Sequence, residues 1–362
     1  MRYLILGGLF LIGLTLGALS TLDKETEVLS VDTFAQENCD AAIQSGLLSN
    51  KIKGMSFVAP PNPFPNDPLL PLKALGTDWV AVLPYAYFKK NEPEIHGFSN
   101  GGWWGERPEG ICTTVNHAHD KGIKVMLKPQ LWTHDQWIGE LKFDTEKDWK
   151  KFEKNYATFI LKWAAIADSM EMDMLCIGTE IRHSAEQRPK YWRQLIQSIR
   201  KVYNGKLTYA PNWDDYDKIT FWDALDYIGV NAYFPLSFEK TPTVCDLKEA
   251  WEPIVTKLEG YAKKWNKPIL FTEFGYLSLD GCAGKTWVLE KNRASAGINE
   301  QAQANAIQAL LEVFAGKDWW AGGFLWKWYP NYSSSMGEGK RARDYTPRGK
   351  LAETLLQKMY SD

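Results

Sequence analysis

PILFTEFGY, residues 268–276, is a short apolar run that ends in a carboxylate, Glu273. It reads as a buried strand. A carboxylate at the end of such a strand is costly unless something pairs it or uses it. MLCIGTE, residues 174–180, has the same grammar and ends in Glu180. The interval between the two glutamates leaves room for three strand–helix repeats of roughly 30 residues each, the spacing of a (β/α)8 barrel. As strands four and seven of a TIM barrel, the two stretches would bring Glu180 and Glu273 face to face across its mouth.

Six further runs fill out the pattern: 53–58, 79–88, 124–132, 206–213, 227–236 and 322–330. They are apolar on both faces, as parallel strands covered by helices are. Between them lie helical patterns. In 146–170, Trp149, Phe152, Tyr156, Phe159, Trp163, Ile166 and Met170 recur every three or four residues. Thr145 and Asp148 resemble a capping box at its start. Similar patterns cover 110–121, 189–203, 246–265 and 300–316, and a last helix is expected from Pro347. No internal linker or fixed-period repeat interrupts them. The expectation is an α/β fold with a single (β/α)8 domain over residues 40–362.

With 42 basic and 44 acidic residues, the net charge of −2 gives no electrostatic case for nucleic acid or an anionic membrane as the main partner. The chain carries 17 Trp, 16 Tyr and 16 Phe. That many aromatics fits a packed core and equally a cleft that stacks sugar rings. At the N-terminus, Arg2 precedes an apolar run from Tyr3 to Leu19, with small residues at Ala18 and Ser20. Residues 1–20 read as a signal peptide or an uncleaved membrane anchor, the run being near the lower limit of about 17 residues for a span. Residues 21–39 read as a polar linker, and the protein is expected to be exported. Of the five cysteines, Cys176 falls within a strand, while Cys245 and Cys282 fall in neighbouring loops, where a disulfide between them is expected. Nothing has metal-ligand spacing, so neither metal nor cofactor is expected.

The strands become polar or aromatic toward their C-terminal ends, where barrel active sites lie. Lys128, Gln130 and Trp132 share one side of the third. Asn212 and Trp213 end the fifth, Asn231 and Tyr233 share a side of the sixth, and Trp326 and Trp328 a side of the eighth. Two facing glutamates suit glycoside hydrolysis with retention, which needs two carboxyl groups about 5–5.5 Å apart. One must be protonated to donate to the leaving oxygen, and the other ionised to attack the anomeric carbon. Glu180 is assigned as acid/base and Glu273 as nucleophile. Tyr233 would orient the nucleophile, and Asn212 or Asn231 would hold the hydroxyl beside the anomeric carbon. Lys128 would bind substrate, with Gln130 and Trp213, or else simply neutralise a buried carboxylate. Trp326 would floor the site, with Trp103, Trp104 and Trp132 extending the cleft. Asp214, Asp215 and Asp226 read as caps and turn residues, and His134 and His183 as polar lining.

A set of motifs then carries a family resemblance. KGMSFVAPPNPF (53–64), WGERPEGI (104–111), VMLKPQLW (125–132), CIGTE (176–180), LTYAPNWDDY (207–216), FWDALDYIGVNAYFPL (221–236), KPILFTEFGY (267–276), GGFLWKWYP (322–330) and DYTPRGKLAE (344–353) occur in this order. Together they resemble glycoside hydrolase family 113, a clan A family whose members include β-1,4-mannanases. The resemblance implies retaining cleavage of β-linked mannan, with Glu180 as acid/base, Glu273 as nucleophile, Tyr233 beside the nucleophile and Trp326 under the sugar. Many members of the wider clan place Asn directly before the acid/base; here it is Thr179. The partner implied is a β-linked polysaccharide or oligosaccharide, met by a monomer. An exo-acting mannosidase, another β-glycanase and a non-catalytic carbohydrate-binding barrel are the alternatives.

Overall fold

A computed structural model describes residues 46–97, 102–134, 136–330 and 338–361. Residues 1–39, with the expected signal or anchor and linker, lie outside the described residues. Eight parallel strands form one sheet: β1 (Ile52–Phe57), β2 (Trp79–Val82), β3 (Lys124–Leu127), β4 (Met174–Thr179), β5 (Lys206–Ala210), β6 (Ile228–Asn231), β7 (Ile269–Phe274) and β8 (Trp320–Trp328). Their order is β5-β4-β3-β2-β1-β8-β7-β6. The two ends of this order meet through a single parallel bridge, Asn212 with Asn231, and the Asn231 amide donates to the Pro211 carbonyl at 2.8 Å. The sheet is therefore a (β/α)8 TIM barrel whose seam lies between β5 and β6.

Side-chain alternation divides the apolar residues into two layers. Ala81, Met126, Met174, Cys176, Ala210, Leu270 and Phe324 point inward and fill the barrel. A Cβ at Gly54 would stand 2.5 Å from the Phe324 ring, so the glycine makes the room that Phe324 occupies. Leu175, Ile177, Val230, Ile269 and Phe271 point outward into the larger core shared with the helices. Helix Glu146–Ser169 buries Trp149, Phe152, Tyr156, Phe159 and Trp163 as its periodicity predicts. Its last turns bury Ala164 and Ala167 instead of Ile166 and Met170, which are only partly buried. Thr145 caps it, accepting from the Asp148 amide at 3.1 Å.

Three expectations need correction. The long second and third runs each split at a proline, Pro84 and Pro129, which lacks the N–H that a ladder needs. Beyond the split, Tyr85–Tyr87 and Gln130–Trp132 pair with each other as a separate two-stranded ribbon above the barrel. The last helix is Leu351–Tyr360, not one beginning at Pro347, because Gly349 adopts a left-handed φ of 74° between them. Cys282 is a free, buried thiol, so the expected Cys245–Cys282 disulfide does not form, although Cys245 is itself disulfide-bonded. Proximity of two loops did not determine which cysteines meet. Among the described residues, no helix is long and apolar enough to cross a membrane.

Candidate active site

Both glutamates follow an irregularity in their strands. β4 advances from Cys176 to Thr179 while its neighbour β5 advances only from Thr208 to Ala210. β7 advances from Phe271 to Phe274 while β8 advances from Gly323 to Leu325. An extra residue of this kind re-aims the side chains that follow it. Strict alternation from Leu270 would send Glu273 outward. The bulge instead lets Glu273 join Glu180 in lining one cavity of about 980 Å³ at the C-terminal ends of the strands. Glu180 also has a φ of 54°, a left-handed conformation costing a non-glycine residue about 1–3 kcal/mol and typical of functional positions.

The two carboxylates are held differently. Glu273 is 7 % exposed. One of its oxygens pairs with the fully buried Lys128 ammonium, and the other accepts from the Tyr233 hydroxyl at 2.8 Å. Burial and the Glu273 charge raise the Tyr233 phenol well above its usual pKa, so it stays protonated and donates. Glu180 is half-buried, and among the described residues no cation pairs with it. Its Oε1 accepts from the Asn231 amide at 2.8 Å, and its Oε2 from the Trp137 indole at 2.6 Å. Burial, and then the charge on Glu273, push the Glu180 carboxyl above its ordinary range, with those two hydrogen bonds and Lys128 pulling the other way. Asn231 is itself fully buried and accepts from the Thr272 hydroxyl at 2.9 Å, which fixes which end of its amide faces Glu180.

Around this pair the cavity is lined by Gln130, Trp132, Asn212, Trp213, Trp326 and Tyr345 among others. Trp326 lies with its ring 6.0 Å from the Lys128 ammonium. Trp213 stacks on Trp287, their ring centres 5.8 Å apart and nearly parallel. Asn212 lines the cavity with its amide donating to Asp214 at 3.0 Å. The Gln130 amide nitrogen is buried with no partner in the described structure. A second cavity of about 600 Å³ shares Trp132 and Trp326 with the first and adds Tyr85, Tyr87, Trp103, Glu106 and His134. The tandem tryptophans divide: Trp103 is half exposed on this cavity, while Trp104 is buried edge-on against Phe64.

Of the residues read from the sequence, Glu180, Glu273, Gln130, Trp132, Asn212, Trp213, Tyr233 and Trp326 line the main cavity, and Lys128 and Asn231 bond its two glutamates. Trp328 is fully buried and, like Trp104 and His183, lines neither cavity. Asp214 and Asp215 are more than turn residues, since both pair with Arg182, at 2.8 and 2.5 Å. Asp226 pairs with Arg200 at 2.5 Å and accepts from the Leu207 amide, away from the cavities. Sequence reading missed Trp137, Arg182, Trp287 and Glu290. Trp137 lies on a connecting loop and Trp287 in the short helix Thr286–Lys291, and the approach of neither segment to the barrel mouth has a periodic signal.

A barrel that gathers two differently held glutamates and a cavity-lining tryptophan at its C-terminal face has the constellation of a glycoside hydrolase. The glycoside hydrolase family 113 model matches residues 63–350, and the chain belongs to that family. It is a glycoside hydrolase. Among solved structures, a family 113 β-1,4-mannanase complex is 25% identical, with a TM-score of 0.72 over 86% of this chain and 99% of that one. The family 113 β-mannanase AaManA from Alicyclobacillus acidocaldarius, in complex with ManMIm, is 24% identical at a TM-score of 0.72, covering 87% of this chain and 99% of that one. A Ruminococcus gnavus β-glucuronidase shares the fold alone: 13% identity and a TM-score of 0.59 over 86% of this chain and 50% of that chain. No curated protein sequence matches the chain.

Proposed function

We propose that the chain is a retaining endo-β-1,4-mannanase, with Glu273 as nucleophile and Glu180 as acid/base. The observation that carries this reading is the difference between the two carboxylates of one cavity. Glu273 has a buried ammonium and a phenol as partners, the surroundings of a group that stays ionised. Glu180 has only neutral donors and a raised pKa, the surroundings of a group that carries a proton and gives it up. In the first step a Glu273 oxygen bonds the anomeric carbon. The glycosidic C–O bond breaks, and the Glu180 proton goes to the leaving oxygen. In the second step water bonds that carbon, its proton passes to Glu180, and the Glu273 ester bond breaks.

Trp326 supplies the apolar floor for the sugar. Of the two asparagines considered for the 2-hydroxyl, Asn231 is committed to Glu180 and Thr272, while Asn212 lines the cavity, so the contact is assigned to Asn212. Mannan as substrate is supported by the β-1,4-mannanases of the same family that share this fold. Endo attack is supported by the second cavity, which continues the cleft past Trp132 and Trp326 and gives a polymer somewhere to lie on both sides of the cut. The expected export of the chain suits a substrate too large to cross a membrane.

The test is a product profile on mannan, glucomannan, cellulose and mixed-linkage glucan, with the first-formed anomer read by proton NMR. Mixed short mannooligosaccharides in the β-configuration are expected from the first two substrates. Glucan turnover without mannan turnover would sink the substrate, mannose released as sole product would sink endo attack, and a first-formed α-anomer would sink retention.

A further inference from the structure

Trp137 directly precedes the short turn Ile138–Glu140, on the loop that leaves the outer ribbon. Its hydrogen bond to Glu180 Oε2 is short for a nitrogen donor. The ring is also braced from behind. The Arg182 guanidinium carbon lies 4.8 Å from the ring centre. Arg182 is in turn fixed by Asp214 and by the buried Asp215, and Asn212 holds Asp214. The loop after β3, the residue after Ile181 and the loop after β5 thus converge on one indole, and the indole on one carboxylate oxygen. A tryptophan kept only as a sugar platform has no need to spend its single N–H on a carboxylate.

Resting on the reading of Glu180 as acid/base, we propose that Trp137, braced by Arg182, is its positioning residue. The indole holds the cleft-side oxygen of Glu180 in place and stabilises the ionised carboxylate once the proton has left. Oε1 is tied down deeper in the barrel by Asn231, so Oε2 is the oxygen that meets the leaving group. An N–H donor favours the ionised form and lowers the carboxyl pKa; burial and Glu273 raise it. Trp137 therefore limits the rise, so that Glu180 can both donate the proton and take one back from water. The charged and titratable groups facing Glu180 are Glu273 from β7, Lys128 beyond β3, Tyr233 beyond β6 and Tyr209 from β5. Arg182, Asp214 and Asp215 stand behind the indole, and Glu290 and Lys291 line the same cavity. Trp137→Phe keeps each of these charged groups and an aromatic ring under Arg182, while it removes the N–H donor along with the pyrrole ring.

The experiment is the pH profile of kcat/KM on mannohexaose for the wild type, Trp137→Phe and Arg182→Lys, with thermal melts of each. The basic limb reports the acid. In Trp137→Phe it is expected to move up by about one pH unit, the worth of a hydrogen bond to a charged group. In Arg182→Lys, which keeps the charge and loses the flat face over the ring, it moves the same way by less. An unmoved limb with a lowered rate in a folded Trp137→Phe would show a ring that only packs or stacks, and would overturn the proposal. Should Trp137→Phe not fold, the limb of Arg182→Lys decides alone. Glu180→Ala, assayed in parallel on mannohexaose, separates the two ideas: wild-type activity in that variant would overturn the acid/base reading itself.

Discussion

Glu273 and Glu180 sit at the ends of two strands with the same sequence grammar, and the surroundings of each are opposite in kind. Glu273 lies within β7, buried, between an ammonium and a phenol. Glu180 lies one residue past β4, in a left-handed conformation, half-buried, between an amide and an indole. A full charge beside a buried carboxylate compensates its desolvation; two dipoles do so only in part. In the proposed mechanism the same residue type serves as an anion in one place and a proton carrier in the other. The identity of the partners decides this, since both side chains line the same cavity.

The comparison can be broken most directly at the carboxylates themselves. Glu273→Ala is expected to lose on the order of 10^4-fold or more in turnover, measured as released reducing sugar, because the bond-forming atom is gone. Glu180→Ala is expected to lose about 10^2–10^4-fold on mannan. It should keep much of its bond-breaking step on an aryl glycoside whose leaving group needs no proton. Equal defects on that activated substrate would mean that the two glutamates do not divide the work in this way. The next effect is on stability. Lys128→Met leaves Glu273 buried without its counter-charge and is expected to cost about 3–5 kcal/mol in denaturant unfolding at neutral pH. Adding Glu273→Gln should recover much of that loss, and a double variant no more stable than the single one would show that Lys128 serves the fold in another way.

The smallest effect concerns Glu180 and carries a sign. Its folded-state pKa lies above its unfolded value. Between those two values the folded chain binds more protons, so this group's contribution to stability falls as pH rises through the window. Glu180→Gln removes that penalty. It should unfold at a higher temperature than the wild type near neutral pH, with the advantage fading below the ordinary carboxylate range. An advantage that grew on acidification would contradict the raised pKa.

The barrel is legible because its strands are apolar on both faces and several turn polar or aromatic at or just beyond their C-terminal ends. Glu180, Glu273, Tyr233 and Trp326 could be picked out because they lie at such ends. What could not be read lies between elements. Pro84 and Pro129 are visible in the sequence, but the apolar pattern runs on past each of them, so the outer ribbon looks like a continuation of the barrel strands. Cys245 and Cys282 are close in loop order, but chain order does not say which thiols meet. Trp137 and Arg182 act on Glu180 through a loop and a stacked pair, and neither the spacing nor the pattern of THDQWIG marks that contact.

The barrel's seam has a further consequence. β5 and β6 meet through one bridge, and one of its two residues, Asn231, also donates to Glu180. Barrel closure and the alignment of Glu180, the proposed acid, are therefore the same event at that residue. A breathing motion that parted the seam would detune the chemistry while the helices outside remained in place, which makes turnover a more sensitive gauge of the barrel's integrity than its helix content.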